Sequence, residues 1–255
     1  MSGTDHAPST VLADFDLVDW PRRLSAERAM ILNVLAASPS RRVLDLGSGA
    51  GHHARLLAEH GFEVVAIDAS EAALDRARRD PVPDGVEFVL GEIGAVERSV
   101  RGHFGAAMCL GNTLPYLLSA ESVSRMLVGL RRRLLPGAPV LLQSLNFDRD
   151  FSGDARALPL EFLPGRDGEL AVLRTIEPRE EGILIQTTSV LRYRPASVPP
   201  VQLMQSRAEQ VRGWTREEMR VLLDVARLPE RAVYGDMQGA PFVAESSRQL
   251  VIVAG

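Results

Sequence analysis

Arg42 to Gly51 reads RVLDLGSGAG. Val43, Leu44 and Leu46 make a short apolar run of strand length, with Asp45 inside it and glycines at 47, 49 and 51 after it. GHHARLLAEHG follows with helical periodicity and closes on Gly61. A strand that runs through closely spaced glycines into a helix builds a ligand loop. Glycine permits the tight turn and lets backbone approach a bound molecule, and the helix start offers free N–H groups. A dinucleotide loop would read Gly-x-Gly-x-x-Gly. Here the spacing is Gly-x-Gly-x-Gly and position 52 is His. A carboxylate at Asp45 is also awkward beside a pyrophosphate, and suits a cationic ligand or one carrying an α-amino group.

Outward from this loop, strand and helix alternate. FEVVAID is a second strand ending at Asp68, and SEAALDRARRD a helix with Ser70 as its cap and Pro81 beyond its end. VEFVLGE, FGAAMCLG and PVLLQSLN are further strands, and SAESVSRMLVGLRRRLLPGA is a helix ending at a Pro-Gly turn. Upstream, the stretch from Asp14 to Ala37 is helical, with Ser25 expected to cap it, and residues 1–10 are expected to fray. This rhythm is that of a parallel sheet covered on both faces by helices. It changes after Asn146. ELAVLRTIEPREEGILIQTTSVLRYRP makes a hairpin about a Glu-Glu-Gly turn, and VPPVQLMQSRAEQVRGW a further strand. TREEMRVLLDVARLP is then a helix with a Thr215/Glu218 capping box, and two closing strands follow. The expected division is a helical cap over 1–40, an α/β core over 41–146, a β-rich substrate lid over 147–205, and a completing helix and strand pair over 206–255.

Composition narrows the function. The 255 residues carry a net charge of −4 and are 45% hydrophobic, enough for a sizeable core. A mildly acidic chain lacks the basic stripe that a nucleic-acid surface needs. One cysteine, Cys109, allows neither an internal disulfide framework nor a cysteine-based zinc cluster. No apolar run approaches membrane-spanning length and no leader pattern opens the chain, so a cytoplasmic protein with no membrane partner is expected. No histidine (6, 52, 53, 60 or 103) forms a metal set with neighbouring carboxylates, and no metal is expected. Cys109 reads as a small core hydrophobe, His52 and His53 as solvated or packed residues, and Arg131 to Arg133 as cations at a helix C-terminus. Asp68 ends strand two, where a carboxylate accepts from ribose hydroxyls; capping the next helix is the alternative, but Ser70 already fills that role.

VLDLGSGAGHHARLLAEHGFEVVAIDAS resembles the first two motifs of the class I S-adenosylmethionine-dependent methyltransferases. GNTLPYL is similar to a stretch of the glycine- and sarcosine-type N-methyltransferases, and SLNFDRD resembles their motif after strand five, with Phe147 for Tyr. The resemblance implies a Rossmann-like sheet of seven strands, the last antiparallel, with the β-rich lid inserted. It implies S-adenosylmethionine held by Asp45, Gly47, Ser48, Gly49, Gly51, Asp68 and Ala69. By the same likeness Glu92 and the Ile93 N–H meet the adenine, Glu standing where the family usually has Asp. Leu110, Gly111 and Asn112 line the methionyl side. Trp20 and Arg23 occupy a closing N-terminal element, where Arg23 either forks onto the cofactor carboxylate or pairs with Glu27 four residues on. Tyr116 and Asn146 lie where an acceptor would be oriented. The implied reaction is methyl transfer to a nitrogen or oxygen of a small molecule by a monomer or homodimer. A non-catalytic S-adenosylmethionine-binding protein and a nicotinamide-dependent oxidoreductase are the alternatives, the latter disfavoured by the glycine spacing.

Overall fold

A computed structural model describes residues 17–149, 155–165 and 168–255. The expectations for residues 1–10, for His6 and for the stretch from Asp14 to Asp16 lie outside them. Helix α1 (Trp20–Leu35) leads into β1 (Arg42–Leu46), α2 (His52–Glu59), β2 (Glu63–Asp68), α3 (Glu71–Arg79), β3 (Val86–Leu90), the short α4 (Val96–Ser99), β4 (Ala106–Cys109), α5 (Ala120–Arg133) and β5 (Val140–Leu145). The chain then forms β6 (Arg156–Ala157), β7 (Glu161–Gly165), β8 (Gly168–Pro178), β9 (Ile183–Tyr193) and β10 (Val201–Arg212) before α6 (Arg216–Val225), β11 (Glu230–Tyr234) and β12 (Gln249–Ala254).

The main sheet has the order β11-β12-β5-β4-β1-β2-β3. β12 runs antiparallel to both neighbours, β5 and β11, and the pairings of β1 with β2 and β4, of β2 with β3, and of β4 with β5 are parallel. The expected seven strands with the last antiparallel are therefore present. Because β1, β4 and β5 are covered on both faces, they are apolar almost throughout. Val43, Ala106, Met108 and Leu141 pack under Ile31 and Leu35 of α1 and Ala54 and Leu57 of α2. Leu44, Leu46, Cys109 and Leu142 pack against Val123, Met126 and Leu127 of α5 and Met219 and Leu223 of α6. The chain leaves β1 toward β2 and β3, then returns to β4 on the other side. The C-terminal ends of β1 and β4 thus flank the point where the winding reverses, the place an open α/β sheet offers a ligand.

Two helix starts show how local chemistry sets boundaries. α1 begins at Trp20, not near Ser25: the Asp19 carboxylate accepts from the Arg22 N–H, and Pro21 occupies the first turn, where its missing N–H costs nothing. Ser25 lies inside the helix. Ser70 caps α3 and Thr215 with Glu218 forms the capping box of α6, both as the sequence predicts.

The second sheet, β10-β9-β8-β6 with β7 on β8, is antiparallel and contains the expected hairpin, β8 and β9. β10 carries past Gln205, where the sequence suggested the insertion would end, as far as Arg212, because its pairing with β9 continues to Ile183. One face of this sheet is covered at two places. Leu163, Val172 and Val190 close over Leu17, just before α1. Ile176, Leu184 and Val211 close over Phe147, just after β5. Between these anchors the same face is polar.

Candidate functional site

The glycine loop is tied to the end of β2. The Gly47 and Ser48 N–H groups donate to the Ile67 carbonyl at 2.8 and 3.1 Å, and the Gly49 N–H donates to Asp68 Oδ2 at 2.7 Å. Asp68 Oδ1 accepts from the Ser70 N–H at 2.8 Å, so this carboxylate braces the loop and the start of α3 together. Both of its oxygens retain lone pairs for a further donor. Gly47 is a requirement of packing: a Cβ there would stand 2.2 Å from Thr113 Cγ2. Gly49 is different. It has φ +55°, and a Cβ on it would meet nothing within 4 Å, so the loop leaves open space at its crest.

Below that crest sits Asp45. It is 1% exposed, and its Oδ2 has no hydrogen-bond partner. Burial pushes its carboxyl up to about 6, opposed by the nearby His53 and reinforced by the charge of Asp68. The Ser48 hydroxyl is buried and partnerless as well. Buried polar atoms normally find partners, so two orphans at one loop mark a place built for a ligand with donors to give. Cys109 lies close by and is a buried hydrophobe, its thiol pushed up to about 12 by burial and by Asp45.

The end of β4 forms the opposite wall. The Gly111 N–H donates to Gln143 Oε1 at 2.7 Å, and Asn112, itself at φ +63°, accepts from the Leu145 N–H at 2.9 Å. These bonds hold the loop after Leu110 across the ends of β4 and β5. Tyr116, in the 3-10 turn Leu114–Tyr116, is 44% exposed and donates to Glu209 Oε2 at 3.0 Å. At the far side Glu92 is exposed at the end of β3 without capping the turn after it, while Ile93 is buried in the core and Ala69 is exposed.

The N-terminal helix reaches the same end of the sheet. Trp20 stacks on His52 with ring centroids 4.2 Å apart. Arg23 Nε donates to Glu27 Oε1 at 2.9 Å, and His53 Nε2 lies 2.7 Å from Glu27 Oε2. Burial alone would raise the Glu27 carboxyl; the His53 hydrogen bond and the charges of Arg23 and His53 outweigh it and hold the group below its ordinary value. Of the two alternatives for Arg23, the pairing with Glu27 is the one formed within the chain. Its Nε pairs with Glu27, and its Nη2 would lie 3.4 Å from a Cβ placed on Gly111, at the end of β4. His52 is held neutral, its value lowered to about 4 by burial and then by the charges of His53, Arg76 and Arg55.

Asn146 is engaged within the fold. It is 1% exposed; its Nδ2 donates to the Ala244 and Ser247 carbonyls, and its Oδ1 accepts from the Asp148 N–H. Its amide fastens the C-terminal loop to the end of β5, with both N–H groups donated within the chain. Glu209, which the sequence reading did not single out, reaches this end of the sheet through its bond with Tyr116, 93 positions away.

Residues 43–137 match the family described as methyltransferase domain. The matched segment runs from the start of β1 to the turn before β5. A glycine/sarcosine N-methyltransferase of Parasynechococcus marenigrum (strain WH8102) is 30% identical over 160 residues, 59% of this chain and 56% of that protein. The match thus spans about half the length of that relative. A cypemycin N-terminal methyltransferase of a Streptomyces species is 29% identical over 99% of both chains. The solved structure of S-adenosylmethionine-bound CalS10, an amino pentose methyltransferase from Micromonospora echinaspora, superposes with a TM-score of 0.73 at 19% identity, covering 98% of this chain and 99% of that one; at that identity the likeness shows the fold. The matched segment holds the glycine loop, Asp45, Asp68, Glu92 and the loop after β4. Among the described residues no helix is long and apolar enough to cross a membrane.

Proposed function

We propose that this chain transfers a methyl group from S-adenosylmethionine to a nitrogen of a small molecule. The observation that carries the reading is the buried Asp45 carboxylate, with one oxygen unpartnered, beneath the open crest at Gly49. A nicotinamide dinucleotide would set a pyrophosphate against that loop, and a buried carboxylate opposes it. A ligand with an α-ammonium group satisfies it. The residues fit S-adenosylmethionine at each part. Asp45 and Ser48 offer acceptors inside the loop, the free lone pairs of Asp68 suit ribose hydroxyls, and Glu92 and the Ile93 N–H suit an adenine edge. The guanidinium of Arg23 suits a carboxylate near Gly111, in the closing element with Trp20, and Leu110 and Asn112 belong to the methionyl side.

When bound, this donor supplies a methyl group on a positively charged sulfur, open to direct displacement: the nitrogen lone pair forms the new N–C bond and the S–C electrons return to sulfur. Little is left for the protein beyond alignment and exclusion of water. Tyr116 at the end of β4 is positioned to orient the acceptor. The second sheet serves as the lid over it, a reading supported by its two anchorages, before α1 and after β5, on either side of the loop ends. Incubation with methyl-labelled S-adenosylmethionine and a panel of glycine, sarcosine, an amino sugar, a short peptide and a phenol tests the reading. Label is expected in at least one amine. Label in the phenol alone, or in none of the panel, contradicts nitrogen as the acceptor.

A further inference from the structure

The polar stretch on the covered face of the second sheet contains a carboxylate that the glycine loop and the sheet ends do not account for. Arg207, Glu209 and Val211 are successive same-side positions of β10. Val211 is fully buried against the cluster around Phe147, so this side of the strand faces the core. On β9 the positions opposite Arg207 and Glu209 are Thr188 and Gln186, both buried. Glu209 remains 36% exposed at its side chain, so it is open to a ligand that enters from solvent.

Its placement is fixed from two sides. Beyond Val211 the chain reaches Trp214, which is 1% exposed and donates from Nε1 to the Leu117 carbonyl at 3.1 Å. Leu117 directly follows the turn that carries Tyr116. One end of β10 is therefore fastened to the segment leaving β4, and the Tyr116 hydroxyl donates to Glu209 Oε2 at 3.0 Å across that junction. Arg207 Nε forms an ion pair with Glu209 Oε1 at 3.9 Å, a separation beyond hydrogen-bond distance. The carboxylate thus keeps acceptor capacity beside its Tyr116 donor. An exposed carboxylate held in this way at the end of β4 suits the N–H donors of an amine.

We propose that Glu209, oriented by Tyr116, is the residue that selects the acceptor, and that it takes an amine arriving as a cation, which gives up one proton to solvent before its nitrogen lone pair forms the N–C bond. This rests on the methyl-transfer reading above. Gln186 and Thr188, on the same face, place amide and hydroxyl groups beside the clamp, so the amine fits best when it carries hydrogen-bonding groups of its own.

The test is calorimetry on the full chain saturated with S-adenosylhomocysteine. The probes are methylamine, benzylamine, glucosamine and an alanine tripeptide amide, each against its matched neutral partner (methanol, benzyl alcohol, glucose, the N-acetylated peptide), with benzoate as the anion. The wild type is expected to favour at least one amine over its neutral partner by tenfold or more and to bind benzoate worst. Glu209→Gln, close to isosteric, is expected to lose that preference while S-adenosylhomocysteine affinity stays within twofold; Tyr116→Phe is expected to reduce it less. Loss of the preference together with retained S-adenosylhomocysteine binding is specific to the clamp, because a fold defect would weaken both. No amine preference anywhere in the panel, or a preference untouched by Glu209→Gln, overturns the assignment. Failure of S-adenosylhomocysteine to bind the wild type is a separate result: it removes the methyl-transfer reading and the clamp with it.

Discussion

Asp45 is the residue at which a stability prediction and a binding prediction meet. Its carboxyl is raised to about 6, chiefly by burial. A group raised in the folded state adds stability below its unfolded value, and that stability is lost as pH rises through the folded value. Ionising Asp45 in the ligand-free protein therefore costs about 3 kcal/mol between pH 4 and pH 6. An ammonium group beside it reverses the balance by favouring the ionised form. S-adenosylhomocysteine binding at pH 5.5 is expected to release close to one proton, seen as a buffer-dependent heat, and at pH 8 none from this residue. Asp45→Asn moves the two quantities in opposite directions. Above pH 6 the ligand-free protein becomes more stable in chemical denaturation, while ligand affinity falls about tenfold to a hundredfold with the loss of a charge-assisted hydrogen bond. A fall in both would mean that Asp45 supports the loop and not a ligand.

Residues also show where sequence reasoning stops. Asp45, Asp68 and the glycines were legible because they sit in one contiguous stretch whose spacing has a local physical cause. Glu27 was legible as a helical neighbour of Arg23, but its burial against His53 exists only once α1 packs on α2. Asn146 looked available because a polar residue at a strand end usually is; its partners, Ala244 and Ser247, lie about a hundred positions on.

Among the elements, those of the main sheet followed from periodicity, since each parallel strand is a short apolar run between capped helices. β10 did not. Its core-facing positions are polar over most of its length, and only Val211 and the register with β9 show which side is covered. The junction at Trp214 makes this element testable. Trp214→Phe removes the donor to the Leu117 carbonyl and is expected to lower stability by about 1 kcal/mol in urea melts, the net worth of one half-buried hydrogen bond. Because the loop between β1 and α2 is built by other contacts, S-adenosylhomocysteine affinity is expected to change less than twofold, while methylation of the best amine drops tenfold or more at subsaturating acceptor. Equal losses in both would place the site deeper in the second sheet than the contacts show.

At the scale of the molecule, two sheets share a chain that crosses between them after β5 and after β10, and Leu17 adds a third tie. Leu17 is fully buried under Leu163, Val172 and Val190. Leu17→Ala is expected to cost about 3 kcal/mol, within the usual range for deleting a buried leucine side chain. Amide exchange should quicken in β8 and β9 near Val172 and Val190 and stay unchanged in β1, β4 and β5. Uniform quickening would show one cooperative unit. The central claim concerns the ligand of the loop from Gly47 to Gly51. Titration of the wild-type chain with S-adenosylhomocysteine and, in parallel, with NAD tests it most directly. Micromolar binding of S-adenosylhomocysteine with no heat from NAD is the predicted result; binding of NAD alone would contradict the account at its root.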